Sequence, residues 1–273
     1  MHEGRLVDVG DTRLFVVERS REGFPLICLH GGPGVDHYTF ADYLDPLAPD
    51  VRVILVDQRG HGRSDDAPAE TLTMQQFAQD VVALAGALAL GEFAVLGHSL
   101  GGSVALRVAI DHPDAAAPTI LSAATASYSA LPSGAERVAG VAPEVREQLE
   151  RAEDFRTWFE TYLGICFADE RDPRIADYLR RRAPMVLREE TAKRMSERGI
   201  DHELADRLAT VSTRTLVLHG RLDRVTPLPL GEELARGIPA AQLIVFERSG
   251  HFPFVEEQDA YLGAVRRFLA AQR

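Results

Sequence analysis

The sequence has little cysteine: two residues, Cys28 and Cys166, in a chain of 273. Two are too few for a disulfide framework, and no Cys/His cluster has metal-ligand spacing, so the residues point to no metal and no cofactor. Cys28 lies inside an apolar, strand-like run and reads as a small core residue. Lysine is scarcer still, since Lys193 is the only one and every other basic residue is arginine. Basic residues as a class are outnumbered by acidic ones, 30 to 41, which leaves a formal net charge of −11 and a pI near 5.3. That balance argues against a nucleic-acid-binding surface and against an anionic membrane as partner. Long apolar runs are missing as well. The longest apolar helix candidate, Phe77 to Leu90, carries Gln79 and Asp80 and is too short to span a bilayer. The opening residues, Met1-His2-Glu3-Gly4-Arg5, contain no apolar core of a signal peptide. The expectation is a soluble, cytoplasmic protein.

With 45% hydrophobic residues the chain can bury a sizeable core, and its length suits one large domain or a domain with a substantial insertion. Leu6 to Val9 and Leu14 to Glu18 flank Gly10-Asp11 as a plausible hairpin. Continuous apolar runs follow at Pro25 to Leu29, Val51 to Val56, Phe93 to Leu96, Thr119 to Ser122, Thr215 to Leu218 and Gln242 to Phe246. Helical patterns lie between them, at Phe40 to Leu47, Thr73 to Leu90, Ser103 to Ile110 and Glu256 to Ala270. Continuous apolar strands alternating with helices predict an α/β fold with a mostly parallel sheet covered on both faces.

One stretch departs from that rhythm. From about 127 to 210 no buried strand is evident, only helix-like segments dense in charges of both signs. The sequence predicts a helical cap here, inserted into a core formed by 1–126 and 211–273. Arg180-Arg181-Arg182 and Glu189-Glu190 read as solvated helix faces. Phe155, Trp158, Phe159, Tyr162, Leu163 and Phe167 form an interleaved apolar stripe, which suits core packing and also the lining of whatever pocket the cap covers.

The chemistry centres on Gly97-His98-Ser99-Leu100-Gly101-Gly102. A Gly-x-Ser-x-Gly that ends an apolar strand and opens a helix is the layout of a nucleophile elbow, with the serine on a strained turn. Side chains at 97 and 101 would collide with neighbouring backbone. The helix N-terminus beside Ser99 would favour a developing negative charge. Acyl chemistry also needs a base, a group to orient that base, and oxyanion donors. After Thr215 to Leu218 comes His219-Gly220-Arg221-Leu222-Asp223, and after Gln242 to Phe246 comes Ser249-Gly250-His251. Each places its group at a strand end, where catalytic groups collect in such sheets. The chain order Ser99, Asp223, His251 is the one expected of this architecture. The oxyanion donors would be the N–H of Leu100 and one from His30-Gly31-Gly32-Pro33-Gly34. Pro33 has no N–H to give, so Gly32 is the first choice and Gly31 the second. His30 reads as a loop-shaping residue. Asp57, which ends a strand, looks like a metal or phosphate candidate, but no carboxylate stands near it in sequence and a structural turn is the better reading.

Taken together, His30-Gly31-Gly32-Pro33-Gly34, Asp57-Gln58-Arg59-Gly60-His61-Gly62-Arg63-Ser64, the GHSLGG elbow, Gly220-Arg221-Leu222-Asp223 and Gly250-His251 resemble the α/β-hydrolase superfamily from about residue 5 onward. The first two motifs are similar to its proline iminopeptidase group. That resemblance implies the α/β-hydrolase fold and cap glutamates that hold a substrate's free amino terminus. Two departures stand out. Leu100 occupies a position where the iminopeptidase elbow usually has tryptophan, and Trp158-Phe159-Glu160 matches the cap motif imperfectly, so Trp158 and Glu160 are candidate substrate contacts only.

The expected function is a serine hydrolase acting on a small ester, lactone or amide, with small-molecule substrates as its partners. An iminopeptidase acting on short peptides and a catalytically silent ligand-binding protein are the alternatives. A halide- or epoxide-opening enzyme would want a carboxylate at the elbow.

Overall fold

A computed structural model of the chain describes residues 4–115 and 118–270. Eight strands form one sheet: β1 (Arg5–Asp8), β2 (Arg13–Glu18), β3 (Phe24–Leu29), β4 (Val51–Asp57), β5 (Ala94–His98), β6 (Thr119–Ser122), β7 (Thr215–Gly220) and β8 (Gln242–Phe246). Their spatial order is β1-β2-β4-β3-β5-β6-β7-β8. β1 and β2 form the expected hairpin, β2 runs antiparallel to β4, and every pairing from β4 through β8 is parallel. The helices are α1 (Met74–Ala87), α2 (Leu100–Asp111), α3 (Gly134–Arg137), α4 (Pro143–Arg151), α5 (Phe155–Ile165), α6 (Arg174–Arg182), α7 (Glu189–Arg198), α8 (Leu228–Gly237), α9 (Pro253–Glu256) and α10 (Gln258–Ala270). None is long and apolar enough to cross a membrane.

Side-chain alternation along the central strands divides the core between the two sheet faces. On β5, Val95 joins Phe77 of α1, Val104 of α2 and Leu234 of α8, while Ala94 and Leu96 join Phe254 of α9 and Tyr261 and Phe268 of α10. Burial on both faces is why these strands read as unbroken apolar runs rather than as alternating ones.

Two elements differ from expectation. Phe40 to Leu47 is not a helix. Short 3₁₀ turns at His37–Thr39 and Asp45–Leu47 flank Ala41, whose φ of 45° lies in the left-handed region and interrupts any helical ladder. Conversely, α8 escapes the apolar pattern because Pro-Leu-Pro-Leu-Gly reads as a loop. Here the prolines sit at the start of the helix, where a missing N–H costs nothing.

Five helices, α3 to α7, lie between β6 and β7. The chain leaves and returns at one place. Ser127 and Glu203 form an isolated bridge, Tyr128 N–H donates to the His202 carbonyl at 3.0 Å, and Leu204 N–H donates to Ala126 at 2.8 Å.

Buried histidines give the fold a pH signature. Burial pulls His30 down to about 3, and His61 and His202 to about 4. Between the ordinary histidine value of about 6.5 and pH ~4, the unfolded chain binds protons that the folded one refuses. Stability therefore falls as pH drops through this window, by up to about 1.4 kcal/mol per unit for each histidine. The urea midpoint is expected to fall steeply between pH 6.5 and 4.5, and a flat midpoint would contradict these burial assignments.

Candidate active site

The parallel register delivers the candidate residues to one edge. β3 and β5 are neighbours, with Leu29 opposite Gly97, so the 30–34 loop and Ser99 leave the sheet side by side. β7 and β8 are also neighbours, and the loops after them carry Asp223 and His251. Ser99 adopts φ 54° and ψ −119°, a strained conformation for a residue with a side chain, at the junction of β5 and α2. The turn is tight enough that a Cβ on residue 97 would lie 2.0 Å from the Gly101 carbonyl oxygen, which explains the glycine there.

His251 Nδ1–H donates to Asp223 Oδ2 at 2.8 Å, and both side chains are buried. Asp223 is heavily supported. Its Oδ1 accepts from the N–H groups of Val225 (2.8 Å) and Thr226 (2.9 Å), and the Thr226 hydroxyl lies 2.7 Å from Oδ2. Burial pushes the carboxyl pKa up, but the His251 charge and hydrogen bond, with His219 and Thr226, outweigh it and hold it below the ordinary value. Asp223 is thus an anion whose acceptance of the Nδ1 proton leaves Nε2 of His251 as the basic lone pair.

Ser99 and His251 line the same cavity, about 650 Å³ in volume. Gly31 and Gly32 line it too, and Gly32 has φ 131°, which favours glycine. A Cβ on residue 31 would sit 3.2 Å from that of Ser99, so the glycine loop lies against the serine. Leu100 buries its side chain in the core and is the first residue of α2. Its N–H therefore belongs to the first turn, whose donors have no intrahelical partner.

The predicted apolar stripe divides. Phe155, Trp158, Phe159, Tyr162 and Leu163, all on α5, line the cavity, whereas Phe167 packs wholly into the core. Trp158 thus reaches the site and Glu160 does not. Glu160 is exposed and pairs with Arg156 at 3.3 Å, because residues two apart on a helix point to nearly opposite sides. The acid that lines the cavity is Glu189. The arginine triplet corrects the solvated-face reading in the same way. Arg180 and Arg181 pair with Asp177 on the surface, but Arg182 is 4% exposed and lines the cavity. It lies one turn from buried Tyr178, and that spacing was the available signal.

Asp57 has the carboxylate neighbour that sequence proximity did not show. Asp36 folds beside it with His37, because β3 and β4 are adjacent in the sheet. All four carboxylate oxygens already accept N–H groups: Asp57 from His37 and Arg63, Asp36 from Tyr38, Arg63 and Val186. Those donors point where a cation would have to sit, so the cluster serves to tie the 36–37 turn and residue 186 together. His30 has a similar fastening role. Its Nδ1–H donates to the Gly31 carbonyl at 2.6 Å while Nε2 accepts the Gln58 N–H at 3.1 Å.

Two residues at the site carried no signal in the sequence reading. Glu256 accepts the N–H groups of Gly250 (2.9 Å) and Phe252 (3.3 Å), which flank His251, and that of Ala168 (2.8 Å). Glu256 is the last residue of α9 and reaches back to the N–H of Phe252, the residue that caps the start of that helix, much as the acid of a capping box does. His98 lines the cavity with its ring 4.7 Å from that of His251, and neither of its ring nitrogens has a partner among the described residues. Burial above all, then the nearby His251, Arg182 and His219 charges, hold it neutral, far below the ordinary histidine range.

Relatives bear on the family. A 271-residue alignment with the AB hydrolase superfamily protein YisY of Bacillus subtilis is 31% identical and covers 97% of this chain and 98% of that one. A proline iminopeptidase of Lactobacillus acidophilus is 32% identical over 98% of both chains. Among solved structures, an esterase from Exiguobacterium antarcticum superposes with a TM-score of 0.78 at 27% identity, covering 98% of this chain and 100% of that one. The family model for the alpha/beta hydrolase fold matches residues 25–258, so the chain belongs to the α/β-hydrolase family.

Proposed function

We propose that this protein is a serine hydrolase that cleaves small carboxylic esters, lactones or amides through an acyl-enzyme. The observation that carries the reading is the buried 2.8 Å hydrogen bond between Asp223 and His251, with His251 and the strained Ser99 facing one cavity. Ser99 Oγ attacks the substrate carbonyl carbon as His251 Nε2 takes its proton, and Asp223 stabilises the resulting imidazolium. The tetrahedral oxyanion forms against the N–H groups of Gly32 and Leu100, each a donor worth about 3–4 kcal/mol. Collapse expels the alcohol or amine, which receives the proton from His251. Water, deprotonated by His251, then attacks the acyl carbon and releases the acid, restoring Ser99. In this reading residues 127–210 act as a cap that supplies the aromatic wall and limits substrate size.

A second reading, release of an N-terminal residue from short peptides, draws on the proline iminopeptidase relative and on Glu189 at the cavity. Arg137 and Arg182 line the same cavity and would repel a substrate ammonium group, which favours the ester reading. The discriminating experiment compares 4-nitrophenyl acetate and butyrate with proline 4-nitroanilide. Ester turnover with little anilide turnover is expected, and a preference for the anilide would replace the first reading by the second.

A further inference from the structure

Arg182 is a buried cation without a counter-ion. Its side chain is 4% exposed, and no carboxylate lies within ion-pair distance of it among the described residues. Its Nη1 donates to the Tyr178 hydroxyl at 3.1 Å and its Nη2 to the Met185 sulfur at 3.2 Å, while the Nε–H has no partner. The guanidinium carbon stands 4.8 Å from the Tyr178 ring centroid and 5.4 Å from that of Phe159. A guanidinium carries five donors in a fixed fork, so this one is under-used. Elsewhere in the chain a buried arginine is neutralised: Arg59, 2% exposed, is gripped by Asp80 and Asp11.

The surroundings add to the charge rather than cancel it. Arg137, also on the cavity wall, has no ion pair among the described residues either. Its Nη1 reaches only the Tyr162 hydroxyl, at 3.4 Å, and its Nε is buried without a partner. Lys193, the only lysine, lines the cavity as well, and Glu189 is the one carboxylate among the lining residues. A protein with a net charge of −11 thus concentrates cations around a single cavity. Leaving a buried guanidinium without a counter-ion is costly unless a ligand supplies the anion.

We infer that Arg182 is a specificity-determining residue that receives a carboxylate carried by the substrate, so that the cavity selects anionic esters or related acyl compounds over neutral ones. The planar fork suits two-point binding of a carboxylate. His98, neutral and unpartnered on both ring nitrogens, lines the same cavity and can donate one further hydrogen bond to the same ligand. This inference rests on the serine-hydrolase reading for its turnover assay.

Two matched pairs test it, one with the charge on the acyl side and one with it on the leaving group. These are mono(4-nitrophenyl) glutarate against 4-nitrophenyl valerate, and 4-acetoxybenzoate against 4-acetoxybenzamide. In at least one pair the wild-type protein is expected to favour the charged member in kcat/KM by about tenfold or more, the scale of a charge-assisted hydrogen bond. Arg182→Gln should abolish that ratio and Arg182→Lys should keep part of it. A merely structural role would lower both members of a pair by the same factor, and that result would overturn the inference. So would a wild-type protein that favours the neutral member of both pairs. Should Arg182→Gln fail to fold, competition of benzoate and benzamide with the preferred ester on the wild-type protein decides. Benzoate is expected to inhibit about tenfold more tightly, and equal inhibition would overturn the inference. If none of the four esters is turned over, the ester reading fails by itself. Calorimetric binding of benzoate and benzamide to the Ser99→Ala protein then judges Arg182 by the same criterion.

Discussion

Replacing Ser99 by alanine is expected to lower kcat for ester hydrolysis by about 10⁶-fold while leaving the fold intact. In the proposed mechanism the size follows from removing the atom that would form the acyl-enzyme, since His251 and the proposed oxyanion donors are left with no nucleophile to activate. The fold should survive because Ser99 contributes no capping hydrogen bond from its side chain, and its backbone contacts, N–H to Ser122 at 2.8 Å and carbonyl to Ser103 at 3.1 Å, persist in alanine. The φ of 54° makes a second substitution informative. Ser99→Gly relieves the left-handed strain and should be more stable than Ser99→Ala by about 1 kcal/mol, although just as inactive. Thermal unfolding of the two variants beside an ester assay checks both halves. Residual turnover within tenfold of wild type in either variant would remove Ser99 from the mechanism.

Asp223→Asn is the second large effect, a loss of about 10⁴-fold in kcat. The side chain keeps its shape, and its carbonyl oxygen can still accept from Val225 and Thr226. What it loses is the acceptor facing His251 Nδ1, because an amide NH₂ placed there donates instead. The imidazole must then present its lone pair to residue 223 and its N–H to the cavity, the wrong tautomer for taking a proton from Ser99. The imidazolium formed during attack would also lose its counter-ion. A pH–rate profile measured alongside kcat separates this from general damage: the variant should regain rate at high pH, where hydroxide can stand in for the base. An unperturbed kcat would show that the Asp223–His251 hydrogen bond has no part in turnover.

Much of the candidate site's placement was legible because its constraints are local. Gly97 is needed where the chain reverses against Gly101, and that need appears in the sequence as glycine two residues before the serine. Asp223 and His251 follow apolar runs that read as strands of a parallel sheet, so their place at the sheet's carboxyl edge followed from those runs. What stayed hidden depends on contacts between distant segments or on helical phase. Asp36 meets Asp57 only because β3 and β4 are adjacent, which the order of strands along the chain does not state. Glu256 fastens the residues on either side of His251 by accepting their backbone N–H groups, and backbone donors leave no trace in composition. Arg182 was masked by Arg180, which is exposed, and Arg181, which is half-buried. A run of three arginines reads as solvated, yet a 100° step per residue turns the third toward Tyr178 and the cavity. The same phase argument separates Trp158, which reaches the cavity, from Glu160, which faces solvent.

The central claim is that Ser99 is an activated nucleophile. The most direct measurement is the mass of the intact wild-type protein after treatment with a fluorophosphonate, followed by peptide mapping of the adduct. The account predicts one phosphonyl group per chain, attached to Ser99, with loss of ester hydrolysis in proportion to labelling and no adduct on the His251→Ala variant. An unmodified protein, or an adduct on any other residue, would contradict it.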